Sequence, residues 1–204
     1  MPSRSPDRRA GAAARPRPEL PMVECASEAE WEQWLEDHAA SSGVWLKFAK
    51  RGGGATTVSH AEALDVAICF GWIDGQVRRM DETYYLQRFT PRGPRSKWSQ
   101  VNRETAERLI AAGRMRASGH AHIASAQLDG RWEAAYEPPS RATVPDDFRE
   151  ALDAEPGAKA FFETLTVMRR YAFLYRLHHV KTPEARRRRI AGYIELLRKG
   201  RALD

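Results

Sequence analysis

The sequence predicts an α+β fold: a small, mostly antiparallel sheet with helices, followed by a C-terminal helical module. Three observations carry that prediction. Residues 44–50, "VWLKFAK", alternate apolar and polar positions as a half-buried strand does. Residues 72–90, "WIDGQVRRMDETYYLQRFT", are dense in aromatic and β-branched side chains and break at Asp81-Glu82, as two strands joined by a turn would. Beyond residue 145 the apolar spacing is helical throughout.

Taken in order, residues 1–22 read as a disordered basic tail. Five arginines stand there against Asp7 and Glu19, among Ala and Pro, with no apolar face to bury. Residues 23–137 form the α+β domain. Ser27 and Glu30 are spaced as a capping box, followed by Trp31, Trp34 and Leu35 at helical spacing, and "SSG" at 41–43 stops that helix. The loop "RGGGATT" lacks the strand-loop-helix context of a phosphate loop. A second capping box, Ser59 and Glu62, opens a helix over about 60–70 whose apolar stripe is Leu64, Ala67, Ile68 and Gly71, with Gly71 as the C′ residue. After "PRGPRS", Ser96 is the expected N-cap of a helix over 97–112 that Gly113 closes, and one or two short helices run to Asp129-Gly130. Residues 138–144 read as a linker and 145–204 as the helical domain. There Pro145 and Pro156 open helices, Tyr171, Leu174, Tyr175 and His178 make one stripe, and Thr182-Pro183 starts a last helix ending at Gly200.

At 42% hydrophobic and 29% charged residues the chain is that of an ordinary globular protein, and no run approaches the roughly 20 apolar residues of a bilayer span. Arg8-Arg9 is followed by "AGAAARPRP", which is no signal-peptide core. Cys25 and Cys69 are too few for a disulfide framework or a zinc site, so a cytoplasmic location is expected. The formal net charge is +6, of which the tail supplies +3 (five Arg less one Asp and one Glu), leaving a mildly basic body. Bulk charge therefore does not argue for nucleic acid.

The ordered series "CFGWIDG", "QRFTPRGPRSKWSQVN", "AERLIAAGRM" and "DGRWEAAY" resembles the bacteriocin-protection family associated with the names YdeI and OmpD-associated protein. The segment from "VPDDFREALDAEPGAKAFF" through "RRYAFLYRL" to "TPEARRRRIAGYIELLRKG" resembles the helical domain that ends its members, so the likeness covers roughly residues 24–200. It implies a link to protection against bacteriocins or cationic antimicrobial peptides. It implies no reaction, cofactor or catalytic residue.

Candidate site residues come from the side chains themselves. Arg88, Arg92, Arg95 and Lys97 lie in an interval with no acid between Glu82 and Glu104. Delivered to a helix start beside Ser96, they would bind an anion through guanidinium forks and free backbone N–H groups, with Trp98 and Trp72 as walls. The bland alternative is a solvated basic loop whose arginines pair with Asp74, Asp81 and Glu82. Asp74 and Asp81 are the weak catalytic candidates, an acid and base if the hairpin joins them, although Asp-Gly is more often turn chemistry. Cys69, in the last turn of its helix, is expected to be structural. His120 and His122 do not share a helical face, His178 reads as a core histidine, and no metal site or cofactor is expected. In "ARRRR" at least one arginine, Arg186 on the flank of the stripe, should pack its stem and pair with an acid such as Glu163 or Asp153. The leading reading is a binding protein for an anionic small molecule or an acidic protein segment. The runner-up is an enzyme on a phosphorylated or carboxylated substrate with Asp74 as base, and the third is a nucleic-acid-associated stress protein.

Overall fold

The computed structural model describes residues 19–52 and 54–203; most of the expected tail lies outside them. The last residues assigned to that tail are part of the sheet. Strand β1 (Met22–Val23) runs parallel to β2 (Val44–Ala49), and Trp45 donates its backbone N–H to the Pro21 carbonyl at 2.9 Å. With β3 (Trp72–Arg79) and β4 (Tyr84–Pro91) these make a four-stranded sheet in the order β1-β2-β4-β3, antiparallel apart from β1, so the fold is α+β as expected.

Val44, Leu46 and Phe48 are buried on one face of β2, as their alternation requires, and Phe89 joins them from β4. Helices α1 (Glu28–Asp37) and α2 (His60–Cys69) cover that face through Trp31, Leu35, Ala63, Val66 and Ala67. Ser59 and Glu62 form the full capping box, whereas Glu30 reaches past Ser27 to the Ala26 amide at 2.8 Å. Helix α2 has no single stripe. Ala63, Val66 and Ala67 face the sheet, while Ile68 and Cys69, with part-buried Leu64, face a second core of Trp98, Leu109, Ile123 and Trp132. That second core is built by α3 (Gln100–Ala111) and α4 (Ala117–Leu128).

Gly71, at φ 76°, turns the chain from α2 into β3, and a Cβ there would strike His122 on α4. Cys69 and Cys25 are both buried, and burial raises both thiols, Cys25 to about 11. Neither is a reactive thiolate.

The C-terminal module has its own core. Helices α5 (Asp146–Asp153), α6 (Pro156–Thr164), α7 (Val167–His178) and α8 (Pro183–Arg198) meet through Phe148, Phe162, Phe173, Leu177, Tyr193 and Leu197. Pro145 is the N-cap of α5 rather than its first turn. The expected stripe on α7 divides: Leu174 faces this core with Phe173 and Leu177, and Tyr171, Tyr175 and His178 face the N-terminal body. Tyr171 Oη donates to the Glu137 carbonyl at 2.7 Å, His178 Nε2 lies 3.0 Å from the Ala134 carbonyl, and the Tyr136 and Tyr175 rings meet edge-on at 5.0 Å. Arg186 pairs with Asp147, not with Glu163 or Asp153, and also donates to the Leu177 carbonyl at 2.9 Å, closing the end of α7. Among the described residues no helix is long and apolar enough to cross a membrane.

Candidate functional site

Asp74 sits at the start of β3, opposite Phe89, just before a register shift between Asp74 and Val77. Its Oδ2 lies 3.4 Å from His60 Nε2 and 3.5 Å from Gln87 Nε2, and Gln87 also donates to the Gly75 carbonyl at 2.8 Å. Asp81 sits in the hairpin turn, where its carboxylate accepts the Thr83 and Tyr84 amides at 2.8 and 2.7 Å. Those two hydrogen bonds hold it below the usual carboxylate range. The length of β3 separates the pair by about 20 Å, at about 3.3 Å per residue. They cannot share a proton, and the acid-base dyad is excluded.

The chain leaves the sheet at Pro91, and the Arg92 amide donates to the Gly71 carbonyl at 2.9 Å. A tight turn follows, in which the Ser96 hydroxyl accepts the Gly93 amide at 2.9 Å. That bond removes Ser96 from the capping role expected of it. Ser99 caps α3 instead, accepting the Asn102 amide at 3.1 Å, and Gln100 N is held by the Tyr136 carbonyl at 2.9 Å. Lys97 and Trp98 therefore precede the helix, and the anion site expected from Arg92, Arg95 and the first amides of a helix beginning at 97 does not have that geometry.

Arg92 is folded inward, only 4% exposed. Its guanidinium lies 3.6 Å over the Trp98 ring, and Nη1 donates to the Lys97 carbonyl at 3.1 Å. Burial pulls its pKa down to about 10, opposed by Tyr136 and Asp74 and reinforced by Arg131, so it is still charged at neutral pH.

The other loop residues open onto a cleft of about 600 Å³ between the two modules. Arg95, Lys97 and Trp98 line it from the N-terminal body, and His178, His179 and Lys181 from the helical module. Its one acidic liner, Asp129, is engaged by Arg131 at 2.8 Å. Arg95, Lys97 and Lys181 have no ion-pair partner among the described residues. Lys97 Nζ stands 5.1 Å above the Tyr175 ring, and burial lowers its pKa.

Two expected members are elsewhere. Trp72, 3% exposed, packs edge-on against Trp34 in the first core. Arg88 pairs with Trp45 in register, one residue out of step with the core-facing Gln87 and Phe89, and so points to the opposite face of the sheet. The residues that sequence reasoning missed are Arg131, His179 and Lys181. Their signal is weak: "HHVK" reads as a helix end, and nothing local ties it to residues 95–98.

Burial lowers the pKa of His122, helped by Arg92 and Arg131, and that of His179, where Lys97 and His178 assist and the Tyr175 carbonyl opposes. A depressed histidine stays neutral in the fold while the unfolded chain, at about 6.5, takes up protons. Stability is then complete above about pH 6.5 and falls as the solution is acidified toward the lowered folded values. The urea midpoint should drop between pH 7.5 and pH 5, and His122→Gln should flatten that slope; an unchanged slope would place the loss elsewhere.

Comparison with known families finds two separate matches. Residues 23–122 match a domain of unknown function (DUF8412), and residues 141–200 match the family described as bacteriocin-protection, YdeI or OmpD-associated. The family model thus covers the helical part of the likeness read over 24–200, and the motifs before residue 122 fall on the other domain. No curated protein and no solved structure matches the chain.

Proposed function

We propose that this chain, whose C-terminal module is of the bacteriocin-protection, YdeI or OmpD-associated family, serves that protection as a cytoplasmic binding protein, recognising an anionic small molecule or an acidic partner segment in the inter-module cleft. One observation carries the reading: Arg95, Lys97 and Lys181 converge on the cleft from both modules without ion-pair partners. The one acid in the groove, Asp129, is bonded to Arg131 and meets Lys181 only at longer range, so the three cations favour a ligand that brings further negative charge.

The alternatives find less support. Asp74, the candidate base, is engaged by His60 and Gln87 rather than by a loop arginine. In the last helix Arg186 is held by Asp147, and Arg198 and Lys199 lie against Glu195, which interrupts a basic stripe.

Citrate and a hexaglutamate peptide are suitable probes, because both carry several carboxylates that can meet the cations on the two walls of the cleft. Either should raise the melting temperature above that in chloride at equal ionic strength; saturation at about 100 times the dissociation constant corresponds to about 2.7 kcal/mol. Arg95→Ala with Lys97→Ala should remove most of that gain. If the double variant keeps it in full, the cleft is not the site.

A further inference from the structure

Among the described residues Arg92 is the one charged side chain that is buried, and the structure does not neutralise it. A guanidinium carries five N–H donors. Only Nη1 has a partner, the Lys97 carbonyl, while Nε and Nη2 are buried without one. The neighbouring Trp98 Nε1 is also buried and unpartnered. Among the described residues no carboxylate forms an ion pair with Arg92; Asp74 acts on it only from beyond that distance, and Arg131 adds like charge.

The Trp98 ring offsets part of the charge through its face, but stacking leaves the N–H edges of both groups unsatisfied. Buried polar groups in folded proteins are almost always hydrogen-bonded, and a buried charge without a counter-charge is strongly disfavoured against an apolar side chain of the same shape. Support for Trp98 alone would be supplied equally well by methionine. Three orphan nitrogens on one stacked pair, with no acceptor for them among the described residues, call for an acceptor from outside.

We infer that Arg92, together with Trp98 Nε1, is an interior seat for a small oxyanion, a carboxylate or a phosphate. Trp98 lines the open cleft and carries Arg92 on its ring, while Arg92 itself does not line the cleft. The seat is a second site beside the cleft proposed above, and it stands or falls apart from Arg95 and Lys97.

The test compares the full chain, Arg92→Met, and the Arg95→Ala, Lys97→Ala double variant in chloride, inorganic phosphate and acetate at equal ionic strength. Wild type and the double variant should both melt higher in phosphate or acetate than in chloride, and the more effective oxyanion identifies the source. Arg92→Met should lose that difference while melting in chloride no lower than wild type, because an unpaired buried charge has gone. Retention of the full oxyanion effect in Arg92→Met overturns the proposal, as does its absence from wild type. Should Arg92→Met not fold, the Arg92 Nε–H resonance of the wild type, assigned by its loss in Arg92→Lys, decides: it shifts on phosphate titration if the seat exists and stays fixed if it does not.

Discussion

Replacing Trp31 by alanine is expected to cost about 3–5 kcal/mol of stability and to unfold the N-terminal body ahead of the helical module. Trp31 is fully buried, stacks on Trp34 at 5.3 Å, and lies tilted against Phe89 at 5.5 Å. It thus joins α1 to the sheet. Its Nε1 donates to the Ala63 carbonyl of α2 at 3.1 Å, so truncation leaves a cavity and removes the one hydrogen bond that ties the two covering helices together through this side chain. Because α2 also faces the second core through Ile68 and Cys69, the damage should spread to α3 and α4. Phe148, Phe173 and their partners form a separate core, and their transition should shift little. Urea unfolding followed both by tryptophan fluorescence and by amide signals of α5 to α8 would separate the two events. A loss below about 1 kcal/mol would mean that α1 lies outside the cooperative core.

The three antiparallel strands were legible because their signals are local, whereas β1, two residues long, was read as tail. The period-two burial of Val44, Leu46 and Phe48, the Asp81 turn and the Ser59–Glu62 box each depend on residues a few positions apart. The start of α3 was not legible. Ser96 and Ser99 are both reasonable caps, and what separates them is distant: Tyr136 exchanges backbone hydrogen bonds with Trp98 and Gln100, at 3.1 and 2.9 Å, which fixes the chain before the helix. Position on α7 misled for a similar reason. Tyr171, Tyr175 and His178 have the spacing of a core face, but the face packs only part-buried against another module, and His178, still exposed, bonds to Ala134 instead of lying in a core. Half of the cleft was readable, since Arg95, Lys97 and Trp98 share one loop. The other half comes from residues 178–181, and only the docking of the modules supplies it.

Gly119→Val is the second large effect expected, a loss of about 3 kcal/mol or more, the upper end of what overpacking costs. Glycine in a helix interior is ordinarily a weakness of about 1 kcal/mol relative to alanine, so one would expect substitution in α4 to help. Here the opposite holds, because α4 approaches the end of α2 until a Cβ on Gly119 would collide with the Cys69 carbonyl and the Met115 sulfur. The sulfur can move, but the carbonyl is backbone and accepts the Arg116 amide at 3.1 Å, so it cannot yield without breaking that bond. Displacing α4 would carry His122 off Gly71, and Gly71 sets the turn whose carbonyl holds the Arg92 amide. A stability defect should therefore come with a functional one. Gly119→Ala, the milder lesion, should lose less stability than Gly119→Val, yet weaken the phosphate-dependent rise in melting temperature. If Gly119→Val is as stable as wild type, the contact between α2 and α4 is looser than the structure requires, and the backbone around Arg92 is not held from that side.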